Sequence, residues 1–295
     1  MNNFRLDYDA SGRLLNPAGC DLFLNALRPA PPSDLFFIAH GWLNDRIASQ
    51  NLFQWFYQGL APVPVCGVSW PSHPWKSNAA GLLKSGAEMA SYYLMKERAG
   101  EIGAAFAADL HRIARFLPNT RIHLAGHSFG ARLMTSAVHA SAALSQTAFV
   151  RSLTLIQAAF SQFSFAPEGA YRDILTRRLV RGPILITHSK HDGAVGKAYP
   201  VVSRLKGQNA SSLGDASDPF GGLGRNGAQR LTPAECVGLN LGDLQSLRAY
   251  LQHPVVNLNA DRVILSHTDY EKMELLETIK LLWSPAGTTL SGQPS

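Results

Sequence analysis

Cysteine is scarce in this chain: its 295 residues include only Cys20, Cys66 and Cys236. The three are far apart and odd in number, and none has a neighbour at metal-ligand spacing. A disulfide framework and a zinc module are therefore excluded, and the thiols point to a reducing compartment. Charge is also thin, at 16% of residues, with a net value of +6. The densest basic stretch is 172–181, with Arg172, Arg177, Arg178 and Arg181, which is too little for a nucleic-acid footprint. No long apolar run is present, because Lys84 and Arg151 interrupt the best candidates, so no transmembrane segment is expected. Asp7 and Asp9 stand where a secretion signal needs its apolar core. A cytoplasmic protein is the expectation, with signal-less secretion left open. No internal repeat is found.

What is present is an alternation of strand and helix signals. Residues 4–15 alternate around Asp9-Ala10-Ser11-Gly12, which predicts a small edge hairpin. The continuous apolar run 34–39 fits a strand covered on both faces. It leads into His40-Gly41-Trp42-Leu43, then a helix at 51–60 and a strand at 63–70 closed by Pro71-Ser72-His73-Pro74. Residues 79–117 read as helix, with Gly100 and Gly103 expected to divide it and its first part leaning over the site. Further strands are predicted at 121–125, 152–157, 183–187 and 262–265, with helices at 171–179 and 270–282. Such a pattern predicts a mostly parallel sheet with helices on both faces. The expected organisation is one domain, 1–283, with excursions at 73–103 and 199–255 and a disordered tail at 284–295. Gly221, Gly222, Gly224 and Gly227 do not lie between a strand and a helix, so they read as a flexible loop and not a phosphate cradle.

Chemistry enters at Gly126-His127-Ser128-Phe129-Gly130, where an apolar strand meets a helix-forming run. In that context the five residues form a nucleophile elbow: the serine sits on a strained turn, and the glycines let strand and helix approach closely. A serine hydroxyl is a weak nucleophile, so it needs a base within hydrogen-bond reach and an acid to orient that base. In this topology they follow the serine as acid and then histidine, each beyond a strand's carboxyl end. Asp192 meets the condition for the acid, with Asp173, Asp215, Asp218 and Asp261 as rivals. His267 meets it for the base, with His253, His191 and His188 as rivals. Asp269 reads as an N-cap for the last helix. The oxyanion donors are expected to be the amides of Phe129, which follows the nucleophile, and Trp42, in the loop after the 34–39 strand.

Together His40-Gly41-Trp42, Ser69-Trp70-Pro71-Ser72, Gly126-His127-Ser128-Phe129-Gly130-Ala131-Arg132-Leu133, Ser189-Lys190-His191-Asp192 and the late histidine resemble the α/β-hydrolase superfamily. Within it, the nearest likeness is to bacterial serine hydrolases with a Ser-Trp-Pro strand end. The resemblance covers about 35–282 and implies an eight-stranded, mostly parallel sheet and carboxylic-ester hydrolysis. It carries the nucleophile to Ser128, the base to His267 and the acid to Asp192. No large cap separates the strands at Leu155 and Ile184, a departure that speaks against interfacial activation of the lipase type. His40, Leu43, Trp70 and Trp75 are pocket candidates, as are Tyr92 and Tyr93, although core packing explains the aromatic ones equally well. His40 and His127 also read as loop-shaping residues. The chemistry needs no cofactor, and His188, His191 and Asp192 lack the further pair that a metal site would require. The implied partner is a small-molecule ester or lipid-like substrate, with no nucleic acid and an open oligomeric state. Amidase, peptidase or thioesterase action, or a non-catalytic interaction role, remain the alternatives.

Overall fold

The computed structural model describes residues 3–42, 46–73, 87–145, 148–195 and 221–283. Eight strands form one sheet: β1 (Asn3–Asp7), β2 (Asp34–Ala39), β3 (Val65–Ser69), β4 (Arg121–His127), β5 (Val150–Ile156), β6 (Ile184–His188), β7 (Cys236–Asn240) and β8 (Val255–Asn259). Their order is β1-β3-β2-β4-β5-β6-β8-β7, and every pairing is parallel. The sheet therefore has the expected α/β architecture.

Residues on β2 alternate between two cores. Leu35 and Phe37 pack with α1 (Pro17–Leu27), α3 (Ala87–Phe116) and α4 (Phe129–Ser141) on one face, while Phe36 and Ile38 pack with α2 (Arg46–Gly59) and the helix Met273–Lys280 on the other. Burial on both faces is why the strand reads as unbroken apolar sequence. The chain runs outward from β2 to β3 and returns through α3 to β4, so the ends of β2 and β4 lie side by side without being consecutive. A crevice outside the carboxyl ends of the strands forms at such a switch point. Among the described residues no helix is long and apolar enough to cross a membrane.

The structure corrects several expectations. Segment 4–15 does turn back at 9–12 at the sheet edge, through the Tyr8–Leu14 antiparallel bridge with Asp9 N donating to Arg13 O and Leu15 N to Asp7 O, but its returning arm is too short to be a strand, and β1 joins the sheet in parallel. Helix α3 runs unbroken through Gly100 and Gly103. These glycines mark close approach to α4: a Cβ on Gly103 would lie 2.8 Å from Ser136 Cβ and against the Leu133 carbonyl. The predicted 171–179 helix shortens to α5 (Arg172–Thr176). The predicted strand at 262–265 is a turn, and the last strand is β8, whose Asn257 and Asn259 interrupt the apolar pattern. Segment 199–255, expected as an excursion, supplies β7 and the start of β8. Gly221–Gly227 is a helical turn built around Leu223–Asn226, pinned where Leu223 N donates to Phe160 O and Gly224 N to Ala158 O, in place of the flexible loop. The 284–295 tail, and 74–86 within the other proposed excursion, lie outside the described residues.

Candidate active site

The elbow turns at Ser128, whose φ of 58° and ψ of −121° join β4 to α4. A non-glycine residue rarely adopts such a positive φ, and the conformation is held by Ser128 N donating to Ile156 O and by Ala131 N and Ala159 N donating to Ser128 O. A side chain at Gly130 would lie against the Ala39 and His40 carbonyls. At Gly41, an added Cβ would sit 2.8 Å from Ser128 Cβ, so the loop after β2 must pass the nucleophile as bare backbone.

Three side chains far apart in sequence meet here. Ser128 Oγ lies 2.9 Å from His267 Nε2, and His267 Nδ1 lies 2.9 Å from Asp192 Oδ2. A carboxylate only accepts, so the imidazole carries its proton on Nδ1 and turns the Nε2 lone pair toward the Ser128 hydroxyl. Asp192 is wholly buried, while the His267 side chain keeps 19% of its surface exposed. Solvent thus reaches the imidazole but not the carboxylate.

Each partner is held by its own loop. Asp192 follows β6, with Oδ1 accepting from Val195 N at 2.9 Å. His267 lies on the loop between β8 and the last helix. Asp269 Oδ2 accepts from Leu265 N at 2.9 Å and so closes this loop, while the helix itself begins later, with Lys272 at its N-cap. That corrects the capping role expected of Asp269. His127 Nε2 donates to His267 O at 2.8 Å, and its ring lies tilted against those of His267 and Tyr270, with centroids 5.0 and 4.8 Å away. Burial, with the His267 ring beside it, pushes the His127 imidazole down to about 3, so it stays neutral, with its one ring proton on Nε2.

His40 braces the loop after β2. Its Nδ1 donates to Gly41 O at 3.0 Å, its Nε2 accepts from Trp70 N at 3.2 Å, and Trp70 Nε1 donates to His40 O at 2.8 Å. Burial holds the His40 ring near 4, hence neutral. His40 and Trp70 are 1% and 3% exposed, which leaves almost no surface for a substrate; they support the loop instead of walling a pocket. Trp42 and Phe129, the expected oxyanion donors, bring their rings within 6.2 Å. Tyr93 packs on the core. Leu43 and Trp75 lie outside the described residues, as does the Tyr92 side chain.

None of the rival residues among those described is joined to Ser128 by a hydrogen bond. Asp173 pairs with His139 and Asp261 accepts from Lys190 N, while Asp215 and Asp218 lie outside the described residues. Tyr250 packs on His253, and burial lowers the His188 imidazole. No cluster of three metal-ligating side chains occurs among the described residues.

A second Ser-His-Asp arrangement, unforeseen in the sequence, lies within the sheet. His123 Nδ1 is 2.7 Å from Ser152 Oγ, and His123 Nε2 is 2.9 Å from Asp34 Oδ1. The ring is reversed relative to the first set, with Nε2 toward the carboxylate. Arg121 also grips Asp34, at 2.8 and 2.7 Å. His123 and Ser152 are at most 1% exposed, so no ester can reach them. A strained serine with an aligned, partly exposed imidazole is the machinery of a serine hydrolase, and among the described residues the elbow set meets that description while the buried set does not.

No family model matches the chain, and no curated protein matches it. Solved structures similar to it include an acetylxylan esterase (12% identity, 84% of this chain and 97% of that one, TM-score 0.37). An alpha-beta serine hydrolase homologue from Coxiella burnetii also matches (12%, 85% and 84%, 0.35), as does Est1E from Butyrivibrio proteoclasticus (12%, 86% and 88%, 0.35). At such identities the chemistry is read from the site itself.

Proposed function

We propose that the chain cleaves carboxylic esters through an acyl-enzyme on Ser128. One observation carries this reading: an unbroken relay, Ser128 Oγ to His267 Nε2 and His267 Nδ1 to Asp192, at 2.9 Å for each contact. As Ser128 Oγ attacks the ester carbonyl, His267 Nε2 takes its proton, and the imidazolium then gives that proton to the departing alcohol. In deacylation the same nitrogen accepts a proton from water, whose oxygen attacks the acyl carbonyl, and the proton returns to Ser128 Oγ. Asp192 keeps the ring oriented and stabilises its positive charge. The amides of Trp42 and Phe129 receive the oxyanion, an interaction for which each donor typically contributes ~3 kcal/mol in the transition state. Small-molecule or lipid-like esters are the substrate class, and no cofactor takes part.

The test is turnover of p-nitrophenyl esters of graded acyl length against the matching anilides, with the acyl adduct trapped by acid quench and located by mass spectrometry. Ester turnover with the adduct on Ser128 is the expected result. Undiminished turnover in Ser128→Ala would overturn the proposal, and faster cleavage of anilides would move it to amides.

A further inference from the structure

We propose that Gln157, just past the carboxyl end of β5, is a positioning residue that fixes the carboxylate of Asp192. The proposal rests on the reading of Ser128, His267 and Asp192 given above. Gln157 is wholly buried and has a positive φ of 44°, a conformation that side chains other than glycine seldom adopt. Nothing local requires a glutamine there. Its carboxamide Nε2 lies 3.3 Å from Asp192 Oδ2, the same oxygen that receives His267 Nδ1, and 3.2 Å from Gly224 O.

The direction of this amide is set by proton bookkeeping. Gln157 N donates to Thr187 Oγ1 at 3.1 Å, and the hydroxyl's own proton is directed to Gln157 Oε1 at 2.7 Å. With Oε1 committed as acceptor, the two Nε2 protons face Asp192 and Gly224. The chain of bonds from Gln157 N through Thr187 and back to Asp192 therefore runs one way, and the acid is left only the acceptor's role. Val195 N on Oδ1 completes its partners. Gly224 O also accepts from Ser189 N at 3.0 Å, so the glycine-rich turn, β5 and the acid loop are tied at one point. Such a buried, fully satisfied network resists rotation of the carboxylate, and the His267 ring takes its orientation from that carboxylate.

The test is the second-order rate of Ser128 phosphonylation by a fluorophosphonate, measured from about pH 5 to about pH 9 in the full chain, so that both limbs are sampled. Gln157→Leu, similar in length but lacking the donor, is expected to lower the neutral-pH rate about tenfold, far less than the ~10⁴-fold effect of spoiling the acid itself. It is also expected to move the acid limb upward by about half a pH unit, because a carboxylate with one donor fewer holds the imidazolium more firmly. Thr187→Val frees the amide and is expected to act in the same direction but less, while Thr187→Ser restores the wild-type profile. Should Gln157→Leu fail to fold, the two Thr187 variants carry the same contrast. A lower rate with an unmoved acid limb would mean that Gln157 serves the fold alone, and would overturn the proposal. A wild-type profile in Gln157→Leu would also overturn it, leaving the role of Ser128 intact. Wild-type protein that takes no label would overturn the reading of the site and this proposal with it.

Discussion

Among the described residues the same three residue types meet twice, and the two meetings do opposite work. At the elbow, Ser128 stands on a strained turn, its imidazole is partly exposed, and Nε2 faces the hydroxyl. Inside the sheet, Ser152, His123 and Asp34 tie β5, β4 and β2 together with the ring reversed and water excluded. There burial opposes ionisation of Asp34, but bonds from His123 and Arg121 outweigh it and hold the carboxyl below its ordinary range. Burial likewise lowers the His123 imidazole, more than Asp34 raises it. A Ser-His-Asp chain is thus not a catalyst by composition. Access, backbone strain and the choice of ring nitrogen decide whether the protons move.

The sharpest way to break this comparison is to remove each serine. Ser128→Ala is expected to lose about 10⁴-fold or more in kcat/KM for a p-nitrophenyl ester while its urea midpoint stays near that of the wild type. Asp34→Ala leaves His123 and Arg121 without their carboxylate and is expected to cost about 3–5 kcal/mol in urea unfolding. Its activity per folded molecule, normalised by active-site titration, is expected to be unchanged. Gly41→Ala pushes a methyl group toward Ser128 and is expected to lower kcat by about 10²-fold, with a smaller change in KM, as an oxyanion loop is displaced. Ser152→Ala is expected to cost about 1–2 kcal/mol of stability, because one ring nitrogen of His123 loses its partner, and nothing in kcat.

Acid touches both regions with the same sign. His40, His123, His127 and His188 are held neutral below their ordinary value, chiefly by burial. The unfolded chain therefore binds more protons than the native one once pH falls through about 6.5, and stability drops with falling pH. Between pH 7.5 and 6.5 the loss is expected to be about 0.4 kcal/mol each for His40 and His127, whose rings are held near 4 and 3, and to steepen below. Urea midpoints at the two pH values measure it, and a rise on acidification would contradict the burial described.

Much of the site was legible because its signals are local. The elbow is a contiguous motif between a strand and a helix, and Asp192 follows an apolar strand directly. His267 does meet the Ser128 hydroxyl, but the route of the chain to it was misread. Val263 and Ile264 mimic a strand but form a turn that tucks Ile264 into the core, while β8 hides behind polar Asn257. The Asn257 side chain exchanges two hydrogen bonds with Ala228, an interaction invisible along the sequence. Strand β7 has Gly238 at its centre and a half-exposed edge, so it lacks the apolar alternation that announces a strand. Gln157 and the buried trio were illegible for a common reason: each is a polar residue in an apolar stretch whose partners lie about 30 or more positions away, brought near only by the register of parallel strands.

The most direct measurement is the position of a covalent fluorophosphonate label, mapped by peptide mass spectrometry after reaction with the intact chain. One label per chain on Ser128, lost in His267→Ala and retained in Ser152→Ala, is the expected result. No label, or a label at any other serine with Ser128 unmodified, would contradict the account.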